Sequence, residues 1–387
     1  MNDSFLNLPF FEGHHRQLFH ELDAWSSKNI ASSSHADVDA TCQHLVRLLG
    51  QDGWLKSTVS GKQFGGNFDT IDTRTICLSR EILAYHEGLA DFSFAMQGLG
   101  SGAISIAGSS AQKSNYLPDV VSGKKIAAFA LSEPHAGSDV AAMQCQATEQ
   151  ADYAVIDGEK TWISNGGIAN FYVVFAREPK SIGTKGISAW IVDSNTPGLE
   201  ITERIHVIAP HPLARLKFNQ CKVPLSQRIG LGGEGFKIAM RTLDVFRTSV
   251  AAAALGFAKR AFDEALTHAK QRQMFGQHLA DFQITQAKLA KMATSIDSAA
   301  LLIYRAAWLR DQGKVITKEA AMAKLIATEE AQLVIDQALQ MFGGLGVVSG
   351  HVVEKLYRDI RALRIYEGAS EVQQLIIARE LLKNPTQ

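Results

Sequence analysis

The sequence predicts an α+β fold that is mainly α-helical: a helical N-terminal domain, a middle antiparallel β-barrel or sandwich, and a C-terminal four-helix bundle. Three observations support this prediction. Apolar residues recur at three-to-four spacing in the first third of the 387-residue chain. Short β-rich runs separated by turn residues follow, and long helical patterns fill the remainder. These changes of pattern predict domains at residues 1–124, 125–230 and 231–387.

The individual elements follow from the same patterns in chain order. The first helices are expected over Phe10–Trp25, Ala36–Leu49, Arg74–Gly88 and Ala111–Val121. Strands are expected over Ile126–Leu131, Tyr153–Ile156, Phe171–Phe175, Ile187–Val192 and Leu216–Phe218. Asp157-Gly158, between two apolar runs, indicates a hairpin turn. Long helices are expected over Phe236–Arg272, Phe282–Gln312 and Thr317–Met341, with two shorter helices after Gly350.

One glycine-rich stretch, Gly98–Ala103, fits a loose dinucleotide-binding fingerprint. It follows a helical pattern rather than a strand, and no βαβ unit surrounds it. We therefore interpret it as a flexible loop or as small residues that allow close helix packing.

Composition excludes several classes of function. The 39 basic and 39 acidic residues give zero formal net charge, which argues against nucleic-acid or anionic-membrane binding. The four cysteines are scattered without metal-ligand spacing, so we expect no metal site and a reducing compartment. The N-terminus shows neither a secretory nor a transit pattern, and no apolar run reaches the roughly 20 residues of a membrane span. We expect a cytoplasmic protein.

The most informative motif is Ile365–Gln373, which places Glu367 beside Gly368 between two helical segments. A desolvated carboxylate at such a junction can act as a base, although an isolated Glu-Gly pair is usually a solvated turn. Three upstream stretches support the first interpretation. They are Phe129–Ser138 (FALSEPHAGS), Trp162–Gly167 (WISNGG) and Arg272–Gly276 (RQMFG). Together the four motifs resemble the acyl-CoA dehydrogenase family, and the resemblance covers most of the chain.

The resemblance implies FAD-dependent α,β-dehydrogenation of an acyl-CoA thioester to the trans-2-enoyl-CoA. Glu367 would take the α proton, the β hydride would pass to flavin N5 because no side chain accepts hydride, and an electron-transfer flavoprotein would take the electrons. Tyr366 and Gly368 would flank the substrate. Asp244 and Arg247 resemble a pair that contacts the CoA end; the alternative is an ordinary ion pair within one helix.

The resemblance also assigns residues to FAD. Leu131 and Ser132 would face the pyrimidine edge of the flavin, Trp162 and Ser164 would lie across it, and Ser138 would contact the pyrophosphate side or the pantetheine. The alternative is a surface turn beside a buried Trp. A second set would bind the FAD of a neighbouring subunit, which implies a homo-oligomer, typically a dimer of dimers. This set comprises Arg272, Phe275, Gln283, Gln340, Gly343 and Gly344. The remaining expected FAD contacts are Phe129, Ala369 and Glu371. For Arg272, the alternative is a cation at a helix C-terminus.

Two departures from the family pattern lie beside the base. Ala369 stands where the family commonly has Thr, and Glu371 where it has Gln, so both changes bear on FAD binding. An acyl-CoA oxidase, a flavin monooxygenase, a nitroalkane oxidase and a non-catalytic CoA- or flavin-binding scaffold remain alternatives. The sequence leaves open the chain length, branching and ring character of the acyl group, the electron acceptor and the pathway.

Overall fold

A computed structural model of the protein describes Met1, residues 3–30 and residues 37–383. Its α-helices lie close to the predicted ones, except that the helix over Gly88–Ala107 was not predicted. The predicted residue Ala36 falls outside the described residues. The helices are α1 (Gly13–Asn29), α2 (Val38–Gln51), α3 (Thr73–His86), α4 (Gly88–Ala107), α5 (Ser110–Val121), α6 (Gly235–Gln271), α7 (Gln283–Asp311), α8 (Thr317–Phe342), α9 (Val352–Leu363) and α10 (Ser370–Lys383). No helix of the described chain is both long enough and apolar enough to cross a bilayer.

The strands fall in the middle of the chain, apart from one short hairpin after α6. They are β1 (Ala127–Ala130), β2 (Gln146–Glu149), β3 (Tyr153–Ser164), β4 (Phe171–Arg177), β5 (Ile187–Asp193), β6 (Leu199–Arg204), β7 (Leu213–Pro224), β8 (Arg228–Ile229), β9 (Gln273–Met274) and β10 (Gln277–His278). The predicted fold class is confirmed, because a helical N-terminal part is followed by a middle β-sheet and a helical C-terminal part.

The chain divides into two compact units. The helical unit contains the described residues of Met1–Ser33, Thr73–Asp91 and Asp244–Gln387. The sheet unit contains those of Ser34–Asp72 and Phe92–Leu243. The predicted domain boundaries at residues 124 and 230 stay predictions.

Small residues let the helices of the helical unit pack closely. The run Ala251–Ala254 on α6 is completely buried. A Cβ on Gly256 would lie 2.2 Å from the carbonyl oxygen of Glu81 on α3, so only glycine fits at this crossing. The small residues of α6 therefore allow the backbones of α3 and α6 to approach closely.

The sheet unit is built on one sheet with strand order β6-β7-β3-β2-β4-β5-β8, in which β1 pairs with β4. Neighbours are antiparallel, except that β1 and β2 each run parallel to β4. Nearly every residue of β4 and β5 is buried. Their side chains form a core with residues of α4 and α5, including Phe171, Phe175, Ile187, Ile104 and Leu117. Strands buried on both faces explain why these runs are continuously apolar.

Two local predictions are corrected. Asp157-Gly158 is not a hairpin turn, because β3 continues through it with a register shift between Ile156 and Gly158 against β7. Between the pairs Ile156–Cys221 and Gly158–Phe218, β3 advances by two residues and β7 by three, so the extra residue of this β-bulge lies on β7. Gly98–Ala103 is not a loop but lies within α4, where a Cβ on Gly100 would be 2.6 Å from the backbone of Ala127. The small-residue interpretation is the one confirmed.

Candidate active site

The predicted base lies in a tight turn between α9 and α10, which we call the base turn (Arg364–Ser370). Glu367 has φ of 52° and Gly368 has φ of 95°, so two successive residues adopt left-handed backbone conformations. A Cβ on Gly368 would lie 2.4 Å from Nε2 of Gln373. Glycine is required there both by conformation and by space, whereas a left-handed glutamate costs energy that its surroundings must offset.

Three side chains hold the carbonyl groups of this turn. Arg247 on α6 donates from Nε to the Glu367 oxygen at 3.4 Å, and Lys324 on α8 donates from Nζ to the Gly368 oxygen at 2.8 Å. Gln373 on α10 donates to both oxygens, at 3.3 Å and 2.8 Å. The strained turn is thereby fixed to three helices, two of which contribute a positive charge.

The two ends of the base turn are joined by Glu329 on α8. Its carboxylate forms an ion pair with Arg364 at 2.7 Å and accepts a hydrogen bond from the Ser370 hydroxyl. Arg364 also accepts through its carbonyl from the Ser370 N–H at 3.2 Å. These contacts set where α10 begins, and hence where the Glu367 side chain emerges.

The carboxyl group of Glu367 is in a protein environment rather than in bulk water. Its Oε2 is buried and has no hydrogen-bond partner within the described chain. Burial raises the pKa of Glu367, while the positive charges of Arg80, Arg247 and Lys324 act in the opposite direction. Desolvation makes a carboxylate a stronger base, and nearby cations keep it ionisable. An unpartnered oxygen in this setting is free to accept a proton from a bound molecule.

Arg80 on α3 is a buried cation that sequence reasoning missed. It pairs with Asp91 through Nε at 2.8 Å and Nη2 at 2.9 Å, and donates to the Ser249 hydroxyl at 3.0 Å. The fork geometry fixes the guanidinium and satisfies most of its donors. Lys324 was missed as well, although a lysine inside the apolar run Ala320–Ala327 was a usable signal.

The predicted pair Asp244–Arg247 does form an ion pair within α6, at 3.0 Å. Arg247 is nevertheless only 7% exposed and also reaches the base turn, so it does more than an ordinary surface pair. Burial raises the pKa of Asp244, which Arg247 and Arg310 counteract. Whether these side chains contact CoA stays a prediction.

A second group of predicted residues collects at the other end of α6. After Arg272, strands β9 and β10 form a hairpin whose two turn residues, Phe275 and Gly276, have φ of 50° and 78°. Such paired positive φ values are those of a type I′ turn. The Phe275 ring is 88% exposed at the tip. The rest of this group is exposed too: Arg272, Gln283, Gln340, Gly343 and Gly344.

The end of α8 lies beside this hairpin. The ring of His268 on α6 stacks on Phe342 at 4.1 Å, which places the glycines after Phe342 at the same end of the helical unit. Arg247 and Gln271 lie on one continuous helix, about 36 Å apart along its axis. The structure therefore separates this group from the base turn of the same chain.

In the sheet unit, the loop after β1 carries Leu131 and Ser132 and is held by a buried ion pair. Lys160 donates from Nζ to the Leu131 oxygen at 3.0 Å and to the Glu133 carboxylate at 2.8 Å. The Thr161 N–H donates to the Ser132 oxygen at 2.9 Å. Sequence reasoning quoted Glu133 only as part of a motif and missed Lys160, because their pairing joins residues distant in the chain.

Trp162 follows directly and points outward. The pairing of β3 with β7 shifts register between Lys160 and Ile163, and Trp162 has φ of 59°. Bulges of this kind re-aim a side chain. The indole is 57% exposed, so the alternative of a buried Trp is wrong. Ser164 is half-buried further along β3, and Ser138 is exposed in the loop.

Phe129 and the base-turn neighbours complete the predicted set. Phe129 lies on β1 opposite Val173, half-buried, with its ring 4.9 Å from that of Phe175. Ala369 is half-buried in the base turn, and Glu371 is exposed in the first turn of α10.

Family models of the acyl-CoA dehydrogenase N-terminal, middle and C-terminal domains match residues 12–124, 128–221 and 233–382. The chain belongs to the acyl-CoA dehydrogenase family. The prediction of an FAD-dependent oxidoreductase of this class is confirmed.

Relatives of known name support the assignment. The short-chain specific acyl-CoA dehydrogenase of Rattus norvegicus mitochondria is 45% identical over 72% of this chain and 68% of that protein. A caffeyl-CoA reductase–Etf complex subunit, CarC, of Acetobacterium woodii is 39% identical over 83% of this chain and 85% of its own. The structure of butyryl-CoA dehydrogenase from Megasphaera elsdenii superposes with a TM-score of 0.91 at 34% identity, covering 99% of this chain and all of that one.

The residues present fit FAD, the acyl-CoA dehydrogenase cofactor. The exposed face of the Trp162 indole offers a flat apolar surface. The neighbouring Thr161 Oγ1 is buried, and no described residue forms a hydrogen bond with it. A flavin combines an apolar ring system with hydrogen-bonding edges. A large exposed aromatic ring beside fixed polar backbone is the arrangement expected of a planar, partly polar ligand site.

Proposed function

We propose that this protein catalyses the α,β-dehydrogenation of an acyl-CoA thioester to the trans-2-enoyl-CoA, with Glu367 as the base. The observation that carries the proposal is the Glu367 carboxyl group, which has an unpartnered oxygen and three cations around it. The α C–H bond breaks when its proton moves to the carboxylate, the β carbon loses a hydride, and a C=C bond forms. FAD, when bound, supplies the hydride acceptor that no side chain provides.

The base turn performs several parts of this reaction. Gly368 has no side chain, so a thioester can approach the backbone next to the base. Negative charge develops on the thioester oxygen as the α proton leaves, and backbone N–H groups fixed in advance stabilise such charge. By family resemblance the Glu367 N–H has this role. The anchors on Glu367 and Gly368 hold that N–H in place before substrate binds.

The residues proposed to hold FAD are those that the family resemblance assigns to it. In the sheet unit these are Leu131 and Ser132, in the loop that Lys160 fixes, and Trp162 and Ser164 on β3. Phe129 and Ser138 would complete that set, and Ala369 and Glu371 would contact FAD beside the base. The Arg272 group, about 36 Å from Arg247 along α6, supports the proposal that it binds the FAD of a second subunit. The oligomer would then be at least a dimer, and a dimer of dimers by resemblance.

The Tyr366, Asp244 and Arg247 side chains are proposed to bind the acyl-CoA. The relatives' names include short-chain acyl-CoA and caffeyl-CoA, so a short or aromatic acyl group is the proposed substrate range. The name of the second relative also includes an electron-transfer flavoprotein complex, which supports the proposal of such a partner. Its name is that of a reductase, so the reaction should be followed in both directions. A cytoplasmic location stays a prediction.

The test is the Glu367→Gln variant. Glutamine keeps the shape and loses the base, so we expect FAD and acyl-CoA to bind normally while anaerobic bleaching of the flavin slows by about 10²- to 10⁴-fold or more. The titration uses butyryl-CoA and 3-phenylpropionyl-CoA as reductants and crotonyl-CoA as oxidant of the reduced enzyme. Glu380→Gln on α10, which removes a carboxylate paired with Lys383, is the matched control. Unchanged bleaching in Glu367→Gln would refute the assignment of the base.

The same titration separates the alternatives. When oxygen is admitted after the anaerobic reduction, re-oxidation of the enzyme as fast as it was reduced would indicate an acyl-CoA oxidase. Bound flavin that no acyl-CoA reduces would favour a monooxygenase or a scaffold.

A further inference from the structure

Lys324 is an unusual lysine. It is 0% exposed in the interior of α8, where its neighbours Ala320, Ala321, Ala323 and Ala327 are all buried. Buried lysines are rare because an ammonium loses its hydration, and they are normally paired with a carboxylate. None of the ion pairs formed by the described residues includes Lys324. The hydrogen bond that its ammonium makes goes instead to the Gly368 oxygen, at 2.8 Å.

The electrostatic surroundings of Lys324 lead to the base. Burial lowers the pKa of Lys324 to about 8, and the largest opposing influence is the charge of Glu367. The effect is mutual, since Lys324 in turn lowers the pKa of Glu367. Protonation of each group therefore depends on the charge of the other.

The other charged groups around this pair come from several helices. Arg247 on α6 and Arg364 after α9 disfavour the protonated lysine, and Glu329 on α8 favours it. Arg80 on α3 and Asp91 on α4 act on Glu367 with opposite signs. The guanidinium groups stay charged at every working pH. Lys324 is thus the cation near the base that can lose its charge in the physiological range.

We propose that Lys324 is a positioning residue for Glu367: its ammonium holds the left-handed base turn through Gly368 and supplies positive charge that favours the ionised carboxylate. The inference rests on the proposed role of Glu367. Gln373 also donates to the Gly368 oxygen, at 2.8 Å. The Gly368 oxygen therefore keeps the hydrogen bond from Gln373 when Lys324 is replaced. Gln373 is neutral, so it does not replace the positive charge of Lys324.

Three substitutions separate charge from hydrogen bonding. Lys324→Met removes both in a similar volume, Lys324→Gln keeps a donor without charge, and Lys324→Arg keeps charge and donors. Lys318→Met, on the same helix with a side chain 37% exposed, is the matched control. FAD content and thermal stability of each purified holoenzyme are measured first.

Two readouts follow. The first is the pH dependence of the rate of anaerobic flavin reduction by the acyl-CoA that works best on the wild type. The second needs no turnover: hydrogen exchange of a peptide spanning residues 364–372 in the substrate-free holoenzyme. A lysine that only fills space would alter stability without moving the pH midpoint.

We expect Lys324→Met and Lys324→Gln to move the pH midpoint of flavin reduction to higher pH, because the loss of the Lys324 charge makes Glu367 harder to ionise. Flavin reduction at pH 7 should slow about 10- to 100-fold, because Glu367 is also less well positioned. Lys324→Arg and Lys318→Met should keep the wild-type midpoint. Exchange in the base turn should rise most in Lys324→Met.

The proposal is overturned if both uncharged variants bind FAD and keep the wild-type pH midpoint. It is also overturned if none of the three Lys324 variants binds FAD, since Lys324 is then structural. If only Lys324→Met fails to fold, the midpoint of Lys324→Gln is compared with that of Lys324→Arg, and equal midpoints overturn the proposal. Wild-type reduction by Glu367→Gln would instead refute the assignment of the base, independently of Lys324.

Discussion

Replacing Lys160 with Met tests whether the buried ion pair with Glu133 holds the loop that carries Leu131 and Ser132. The Lys160 side chain is 0% exposed and that of Glu133 is 7% exposed. The substitution removes the cation and leaves the Glu133 carboxylate buried. That carboxylate keeps two hydrogen bonds, from the backbone N–H groups of Gln144 at 2.6 Å and Cys145 at 3.0 Å.

The expected loss follows from these contacts. Removing one partner of a buried pair typically costs about 3–5 kcal/mol, because the remaining charge is uncompensated. The lost hydrogen bond to the Leu131 oxygen adds roughly 0.5–1.5 kcal/mol. The two surviving N–H donors reduce the cost of leaving the Glu133 charge unpaired, so we expect the free energy of unfolding to fall by about 3 kcal/mol. The double variant Glu133→Gln/Lys160→Met removes the unpaired charge and should recover part of it.

The assay is urea unfolding of the holoenzyme at fixed protein concentration, followed by flavin and tryptophan fluorescence, together with the FAD dissociation constant. Because an FAD-binding protein with two compact units need not unfold in one step, both probes are compared before a free energy is assigned. Lys222→Met on β7 is the control, since Lys222 is exposed over the Tyr153 ring at 5.2 Å. The free energy of unfolding of Lys222→Met should stay within about 1 kcal/mol of the wild-type value.

A loss below about 1 kcal/mol in Lys160→Met, with unchanged FAD affinity, would refute the reasoning. It would mean that the loop is held by its backbone contacts, such as the Thr161 N–H to the Ser132 oxygen. A loss equal to that of Lys222→Met would lead to the same conclusion.

Two further predictions concern the base turn. Gly368→Ala should add about 1–2 kcal/mol of backbone strain and displace the Gln373 amide, which the new Cβ would meet at 2.4 Å. Flavin reduction should therefore slow while FAD is retained. Wild-type kinetics of this variant in stopped-flow measurements would contradict the prediction. Because the folded-state pKa of Glu367 is raised above its usual 4.5, its contribution to stability is complete below pH 4.5 and is lost as pH rises through the folded value. The free energy of unfolding of the wild type, relative to Glu367→Gln, should therefore fall above pH 4.5 in urea titrations; a pH-independent difference would contradict the raised pKa.

The long helices could be predicted closely from the sequence. Expected at Phe236–Arg272, α6 runs over Gly235–Gln271, because apolar periodicity repeated over many turns leaves little choice of boundary. Short strands were less predictable. β2 and β6 contain few buried residues, so no apolar run marks them, and the two-residue β8 pairs with the distant strand β5. Asp157-Gly158 resembles a turn locally, but pairing with β7 continues β3 through it.

The sequence by itself determined the family, the cofactor class and the residue proposed as base, because these follow from residue types at fixed spacing within short motifs. Only the tertiary structure decided what surrounds that base. Arg247 is 120 positions from Glu367 in the chain and Lys324 is 44 positions from Gly368, and each meets the turn from a different helix. The basicity of a carboxyl group depends on burial and on charges brought near it by packing, and no local pattern encodes those distances.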